Sequence, residues 1–199
     1  SFSIFDRLQK EVDLIHLHNL HGGYFNLGLL PAMSQRLPVV MTLHDAWLSS
    51  GHCAHPLGCE RWRTGCGACP DLEIYPPVEK DGTAWNWKQK QRIFSQSRLY
   101  VSSASQWMIE KMQQSILAPA VRSWKNIPYG ICLETFSPAS RSRVRNELGL
   151  SQDAPILMFA ANWLRHNKFK DLPRLRQALE IVAARDSHRK LLMLAVGSE

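Results

Sequence analysis

Short apolar runs alternate with segments of helical length in both halves of the chain, and this alternation limits the fold most. In the first half, apolar runs at 13–18 and 39–43 flank a segment of helical length at 24–30. In the second half, buried-strand patterns at 155–161 and 190–196 flank helical spacing at 172–184. Parallel strands need a long crossover, usually a helix, so each strand-helix-strand unit predicts a parallel sheet. We therefore expect an α/β protein.

Proline and glycine mark where the predicted elements end. Pro31 is expected to end or kink the helix over 24–30, and Gly149 to close a charged helix over 141–148. We place a domain boundary before that helix, which gives two α/β domains, 1–138 and 139–199. The first half further predicts a helix over 83–97, a strand over 98–103 and a strand over 121–127. Between these two strands, Ser105 is the expected N-cap of a helix. That helix would direct five apolar side chains to the core: Trp107, Met108, Ile109, Met112 and Ile116.

Charge and the chain ends indicate the kind of partner. The net charge is +7, from 24 Lys and Arg against 17 Asp and Glu, which favours nucleotide diphosphates, anionic lipid head groups or nucleic acid. No apolar run approaches the roughly 18 residues that cross a bilayer. The chain opens at Ser1 without a Met and closes just after a strand pattern. We expect an internal fragment in which both domains are incomplete.

Four cysteines lie in the stretch 49–77, which has no strand or helix periodicity. Their spacing, C-x5-C-x6-C-x2-C, suits a closed tetrahedral zinc site that would be structural and not catalytic. An iron-sulfur cluster, two disulfides or four buried thiols are the alternatives. His52 and His55 are spare candidate ligands. The four predicted metal ligands are Cys53, Cys59, Cys66 and Cys69.

Polar side chains follow the two apolar strands of the first half. His44 and Asp45 end the second strand, and His16, His18 and Asn19 end the first. Ligands of open α/β sheets bind at the carboxyl ends of strands, so these side chains predict one binding rim. His44 beside Asp45 could bond a hydroxyl or carry a proton. The alternative is a strand-end pair that only caps the following segment.

Two cations follow the first strand of the second half. Arg165 and Lys170 stand between that strand and the next helix, where phosphates commonly bind. They predict a diphosphate site that stabilises charge on a departing group. The alternative is an exposed basic loop.

Several of these segments together resemble family 4 glycosyltransferases of the GT-B fold, in the bacterial exopolysaccharide branch that includes colanic acid transferases. The resemblance implies two Rossmann-like domains with a cleft between them. It is carried by the segments at 13–19, 42–47, 51–53, 58–62, 65–70 and 75–77, with less specific support from 105–107, 127–131 with Phe136, and Arg165-x4-Lys170.

The resemblance also implies an activity. A sugar would pass with retained configuration from a nucleotide diphosphate sugar to a hydroxyl of a lipid-linked saccharide, without a catalytic metal. His44 would face sugar and acceptor with Asp45 as its neighbour, while Arg165 and Lys170 would neutralise the leaving diphosphate. The enzyme would be cytoplasmic and peripheral to the inner membrane, where anionic lipid attracts its basic charge.

The chain departs from the family at several positions. The family usually has Asn and Asp where this chain has Tyr129 and Cys132, and Lys-Gly where it has Lys170 and Asp171. The family's glycine-rich loop would precede Ser1, and its Glu-x7-Glu segment would follow residue 199. We therefore expect the isolated chain to be inactive.

The competing interpretation is a zinc-bearing interaction or nucleic-acid-binding module. Four clustered cysteines, the +7 charge and seven tryptophans motivate it. However, the basic residues are scattered over both halves and form no stripe, so we expect no nucleic-acid partner. A relative that uses the same fold for epimerisation or phosphorolysis is a further alternative, against which the cysteine loop argues.

Overall fold

The computed structural model describes residues 12–163, 169–185 and 191–197. The chain divides into two compact units, Ser1–Gly130 and Ile131–Glu199. Within the described ranges, no helix combines the length and the apolar character that crossing a bilayer requires.

The first unit is built on a four-stranded parallel sheet with strand order β1-β2-β3-β4. The strands are short, and the apolar runs predicted as strands at 13–18 and 39–43 form two of them, with burial that alternates along each. In register, His18 pairs with Thr42, Thr42 with Ser102, and Ser102 with Lys125. The strands are β1 (Ile15–His18), β2 (Val39–Leu43), β3 (Leu99–Ser103) and β4 (Val121–Asn126).

Helices connect the strands of this sheet. They are α1 (Leu30–Arg36), α2 (Arg61–Thr64), α3 (Thr83–Ser95) and α4 (Gln106–Met112). The helix predicted over 24–30 is wrong in position, because only a 3₁₀ turn, Leu27–Leu29, precedes α1. Pro31 stands in the first turn of α1, where its missing N–H has no helical partner to lose. Proline therefore begins this helix instead of ending it.

The core lies on the face of the sheet covered by these helices. Ser105 caps α4 by accepting a hydrogen bond from the Met108 N–H, as predicted. Trp107 was expected to point to the core but is 61% exposed, and the Lys111 ammonium lies 5.4 Å from its ring one turn along the helix. The largest fully buried apolar side chains are Trp62, Phe94, Leu30, Met41, Leu99, Met112 and Leu117.

Lys90 of α3 is a fully buried lysine in this core. Its Nζ donates to the carbonyl oxygens of Trp47 at 2.6 Å and Ser50 at 2.9 Å, and lies 3.4 Å from the centre of the Trp47 ring. Burial lowers the pKa of Lys90 to about 7. The side chain thus ties α3 to the beginning of the cysteine-containing loop.

The second unit contains a two-stranded parallel sheet, as its strand-helix-strand pattern predicts. Gly149 closes α5 with a φ of +64°, a left-handed conformation that glycine adopts without strain. Its elements are α5 (Arg141–Glu147), β5 (Ile156–Ala160), α6 (Leu172–Arg185) and β6 (Leu192–Val196). Parallel strands joined through helices make the chain an α/β protein of Rossmann-like fold, which confirms the predicted fold class at that level.

Candidate functional site

The face of the four-stranded sheet opposite the core carries polar side chains and a cavity of about 580 Å³. Successive residues of a strand point to opposite faces, so every second residue of each strand reaches this cavity. His44 and Tyr129 reach it from the segments that follow β2 and β4. The polar side chains that line it include His16, His18, Thr42, His44, Lys125 and Tyr129.

His44 is hydrogen-bonded through both ring nitrogens. Its Nε2 lies 2.9 Å from Nδ1 of His18, and its Nδ1 lies 2.6 Å from the Tyr129 hydroxyl. The His44 ring is stacked with each partner, with centroids 5.2 Å from His18 and 5.8 Å from Tyr129. The imidazole predicted to carry chemistry is therefore held in one orientation.

These three side chains form a chain along which protons can be reordered. When the Tyr129 hydroxyl donates to His44, the Nε2–H of His44 donates to His18, and His18 carries its own proton on Nε2. In the reverse order, His18 donates to His44, His44 donates to Tyr129, and Nε2 of His18 becomes an acceptor. A hydroxyl placed at His18 could therefore give up or receive a proton through His44.

A second hydrogen-bonded row crosses the sheet beside this one. His16 Nε2 lies 2.8 Å from the Thr42 hydroxyl, which lies 2.8 Å from the Ser102 hydroxyl. Burial lowers the pKa of His16, and the nearby His18 and His44 lower it further, because each added positive charge repels the next. His16 thus resists protonation.

Asp45 does not direct its carboxylate to His44. Its Oδ2 lies 2.9 Å from His21 Nε2 in a largely buried pair, and its Oδ1 accepts the Trp47 N–H at 2.9 Å. The second of these bonds joins residues two apart and precedes the 3₁₀ turn Trp47–Ser49, whose N-cap residue is Ala46. Asp45 therefore orients His21 and the start of the loop. Its catalytic role stays a prediction.

Asn19 lines a different cavity from His16 and His18, the two other predicted rim residues. Its backbone is left-handed, with φ of 40°, and its carbonyl oxygen accepts the Tyr24 hydroxyl at 2.8 Å. It lines a smaller, neighbouring cavity together with His21 and Asp45. The predicted rim is therefore two adjacent groups, with the histidines of β1 on the open face and Asn19 beside the His21 pair.

The predicted diphosphate site of the second unit is only partly described. Arg165 lies outside the described residues, whereas Lys170 is exposed just before α6. Asp171 has a left-handed φ of 45°, the conformation that favours glycine, and stands where the resembled family usually has glycine. Its carboxylate accepts the Arg174 N–H at 3.3 Å and pairs with the Arg174 guanidinium. A negative group thus occupies the helix end at which a phosphate would bind.

The four predicted metal ligands are free, half-buried thiols in one loop. Gly65 and Gly67 have positive φ values on either side of Cys66, and the Gly51 N–H donates to the Cys66 sulfur at 3.2 Å. Burial raises the pKa of the Cys53 and Cys66 thiols. Among the residues that the structure describes, no three His, Cys, Asp or Glu side chains are already gathered around a common point. Zinc binding stays a prediction.

Sequence reasoning missed two partners in this region. Tyr129 entered only as a departure from the resembled family, yet its hydroxyl fixes His44 from 85 positions along the chain. His21 lies beyond the predicted strand end and carries no pattern of its own, yet it pairs with Asp45. Neither contact leaves a local signal in sequence, because the segments that follow the strands bring together residues far apart in the chain.

Comparison with known proteins finds a partial relative. No protein-family model matches the chain. The chain is 40% identical over 75 residues to the putative colanic acid biosynthesis glycosyl transferase WcaC of Escherichia coli strain K12. The similarity covers 34% of this chain and 18% of that protein. The chain therefore spans under a fifth of the relative it matches.

Proposed function

We propose that the chain is part of a glycosyltransferase of polysaccharide synthesis. The observation that carries this proposal is the 40% identity over 75 residues with the Escherichia coli protein, which is itself named a putative glycosyl transferase of colanic acid biosynthesis. The parallel α/β fold and the cavity over its first sheet, which reaches His18, His44 and Tyr129 at the carboxyl ends of the strands, support the proposal, because enzymes of this architecture bind ligands at those ends.

The finer assignment follows the resemblance described above. The donor would be a nucleotide diphosphate sugar and the acceptor a hydroxyl of a lipid-linked saccharide, with retention at the anomeric carbon and a GT-B arrangement of two domains. Arg165 and Lys170 would neutralise the diphosphate as it leaves. No catalytic metal is needed for this chemistry, and the enzyme would act in the cytoplasm beside anionic membrane lipid.

His44 is the proposed catalytic residue of the first unit. Both of its ring nitrogens are engaged, so it would act on a sugar or acceptor hydroxyl through His18, or by exchanging its bond to Tyr129 for one to the substrate. Either route uses the proton order of the Tyr129-His44-His18 chain. The cavity of about 580 Å³ beside these rings gives room for a monosaccharide unit.

The test uses the native protein that carries this sequence. Purified protein is incubated with a panel of nucleotide diphosphate sugars and a lipid extract, and the released nucleoside diphosphate is measured together with sugar transferred to lipid. We expect turnover with at least one donor, and a kcat lowered by about 10² to 10⁴ in His44→Gln. Lys88→Gln, an exposed change on α3, is the matched control and should retain full turnover.

Two results would contradict the proposal. One is a folded native protein without transfer from any donor. The other is tight binding of nucleic acid that weakens steeply with added salt, which would favour the interaction-module alternative. Turnover that His44→Gln leaves unchanged would keep the transferase assignment and remove His44 from its mechanism.

A further inference from the structure

His52 is a buried histidine outside the site described above, in the cysteine-containing loop. It is only 4% exposed, and its Nδ1 lies 3.0 Å from the carbonyl oxygen of Pro76. A carbonyl oxygen can only accept a hydrogen bond, so Nδ1 carries the proton. The neutral ring therefore has its lone pair on Nε2, the atom that a metal would bind.

Nε2 of His52 faces a thiol. It lies 3.4 Å from the sulfur of Cys69. Zinc bonds of about 2.0–2.1 Å to nitrogen and about 2.3 Å to sulfur, at a tetrahedral angle, place the two ligand atoms about 3.5 Å apart. Metal-binding histidines also commonly donate their other ring N–H to a backbone carbonyl, as His52 does to Pro76. The pair thus already has the spacing and the tautomer of two zinc ligands.

The remaining thiols lie in the same loop, although among the described residues no third ligand is already gathered with this pair. Cys66 interacts electrostatically with each of the other three cysteines, and Cys53 interacts with Cys69 and Cys59. The Gly51 N–H already donates to the Cys66 sulfur, a bond that would also stabilise a thiolate there. Gly65, Gly67 and Ala68 have positive φ values, so the backbone turns on both sides of Cys66.

We propose that this loop binds one zinc ion through His52 Nε2, the Cys69 thiolate and two of the thiolates of Cys53, Cys59 and Cys66. The two further thiolates would turn toward the His52–Cys69 pair to complete the tetrahedron. Mixed nitrogen and sulfur ligands in a tetrahedral set are typical of zinc. The closed site would be structural and would hold together a long loop with little secondary structure. The inference does not depend on the proposed transferase activity.

The test measures metal content of the complete chain. Zinc per chain is determined by elemental analysis for the wild type, His52→Gln, Cys69→Ser and the matched control Cys132→Ser, whose thiol is exposed and lies in the other unit. We expect one zinc in the wild type and in Cys132→Ser. Both loop variants should bind zinc at least tenfold more weakly in competition with a chelator.

A measurement on the wild type alone avoids the risk that a variant fails to fold. Zinc is replaced by cobalt, whose visible spectrum reports tetrahedral coordination, and reactive thiols are counted in the unfolded chain without reductant. Tetrahedral cobalt and five thiols are expected. Absence of bound metal, or fewer than five thiols, would overturn the site in favour of buried thiols or disulfides. Cys53→Ser, Cys59→Ser and Cys66→Ser are measured alongside Cys69→Ser, and full zinc affinity in His52→Gln with loss in all four of these cysteine variants would overturn the histidine ligand and favour four thiolates.

Discussion

At the residue scale, the Tyr129 hydroxyl affects how His44 exchanges protons, because it is the hydrogen-bond partner of His44 Nδ1. Tyr129→Phe removes the partner 2.6 Å from His44 Nδ1, and since Tyr129 is 63% exposed we expect a stability loss of under about 1 kcal/mol. The kcat of the native protein should fall about five- to tenfold with KM unchanged, and its pH profile should shift. Tyr24→Phe is the matched control, because the Tyr24 hydroxyl bonds only backbone carbonyls. Equal effects of the two variants would exclude a positioning role for Tyr129.

The pKa of His16 predicts a pH dependence of stability at the same scale. Burial, then His18 and His44, lower that pKa below its usual 6.5 in the folded protein. As the pH falls, the unfolded chain therefore binds a proton at His16 before the folded protein does. The contribution of His16 to the free energy of unfolding is complete above about pH 6.5 and declines as the pH falls toward the lowered pKa of the folded protein. Urea midpoints of the wild type should drop between pH 7 and 5 more than those of His16→Gln. Parallel curves would contradict this account.

At the element scale, the cysteine-containing loop is held against the start of α3. A Cβ added at Gly51 would lie 2.6 Å from both the carbonyl oxygen and the Cβ of Thr83, so Gly51→Ala must push the loop and helix apart. We expect a loss of about 1–3 kcal/mol in the free energy of unfolding. Gly58→Ala in the same loop meets no atom within 4 Å and should stay within about 0.5 kcal/mol of wild type. Denaturant midpoints measure both, and similar losses would mean that the contact with Thr83 is not tight.

At the scale of the whole molecule, the two units differ in how much they bury. The core of the first unit spans its sheet and helices, whereas Leu172 is the one buried apolar residue among those described in the second. Burial of apolar surface must offset the conformational entropy of ordering the chain. We expect a chain ended after Gly130 to retain the cooperative unfolding transition, with a Tm within about 5 °C of the whole chain. Thermal unfolding followed by circular dichroism tests this, and a truncated chain without a transition would contradict it.

Local patterns predicted most of the elements, because strand and helix formation depend on nearby residues. The strands at 39–43 and 192–196 and the cap at Ser105 needed only apolar runs and a hydroxyl at a helix start. The prediction that Pro31 ends a helix is wrong, because proline is compatible with either end of a helix and the tertiary structure determines which one it occupies. The prediction that Trp107 lies in the core is also wrong, since the face of α4 that packs on the sheet depends on the rotation of the helix about its axis.

The sequence by itself determined the α/β class, the elements and the residue types able to do chemistry, because those follow from local periodicity and composition. The tertiary structure alone decided which of these residues meet. It joined His44 to His18 and Tyr129, turned Asp45 away to His21, and set His52 against Cys69. The physical reason is that strand register and loop packing bring together side chains far apart in the chain, and distant pairs leave no local pattern.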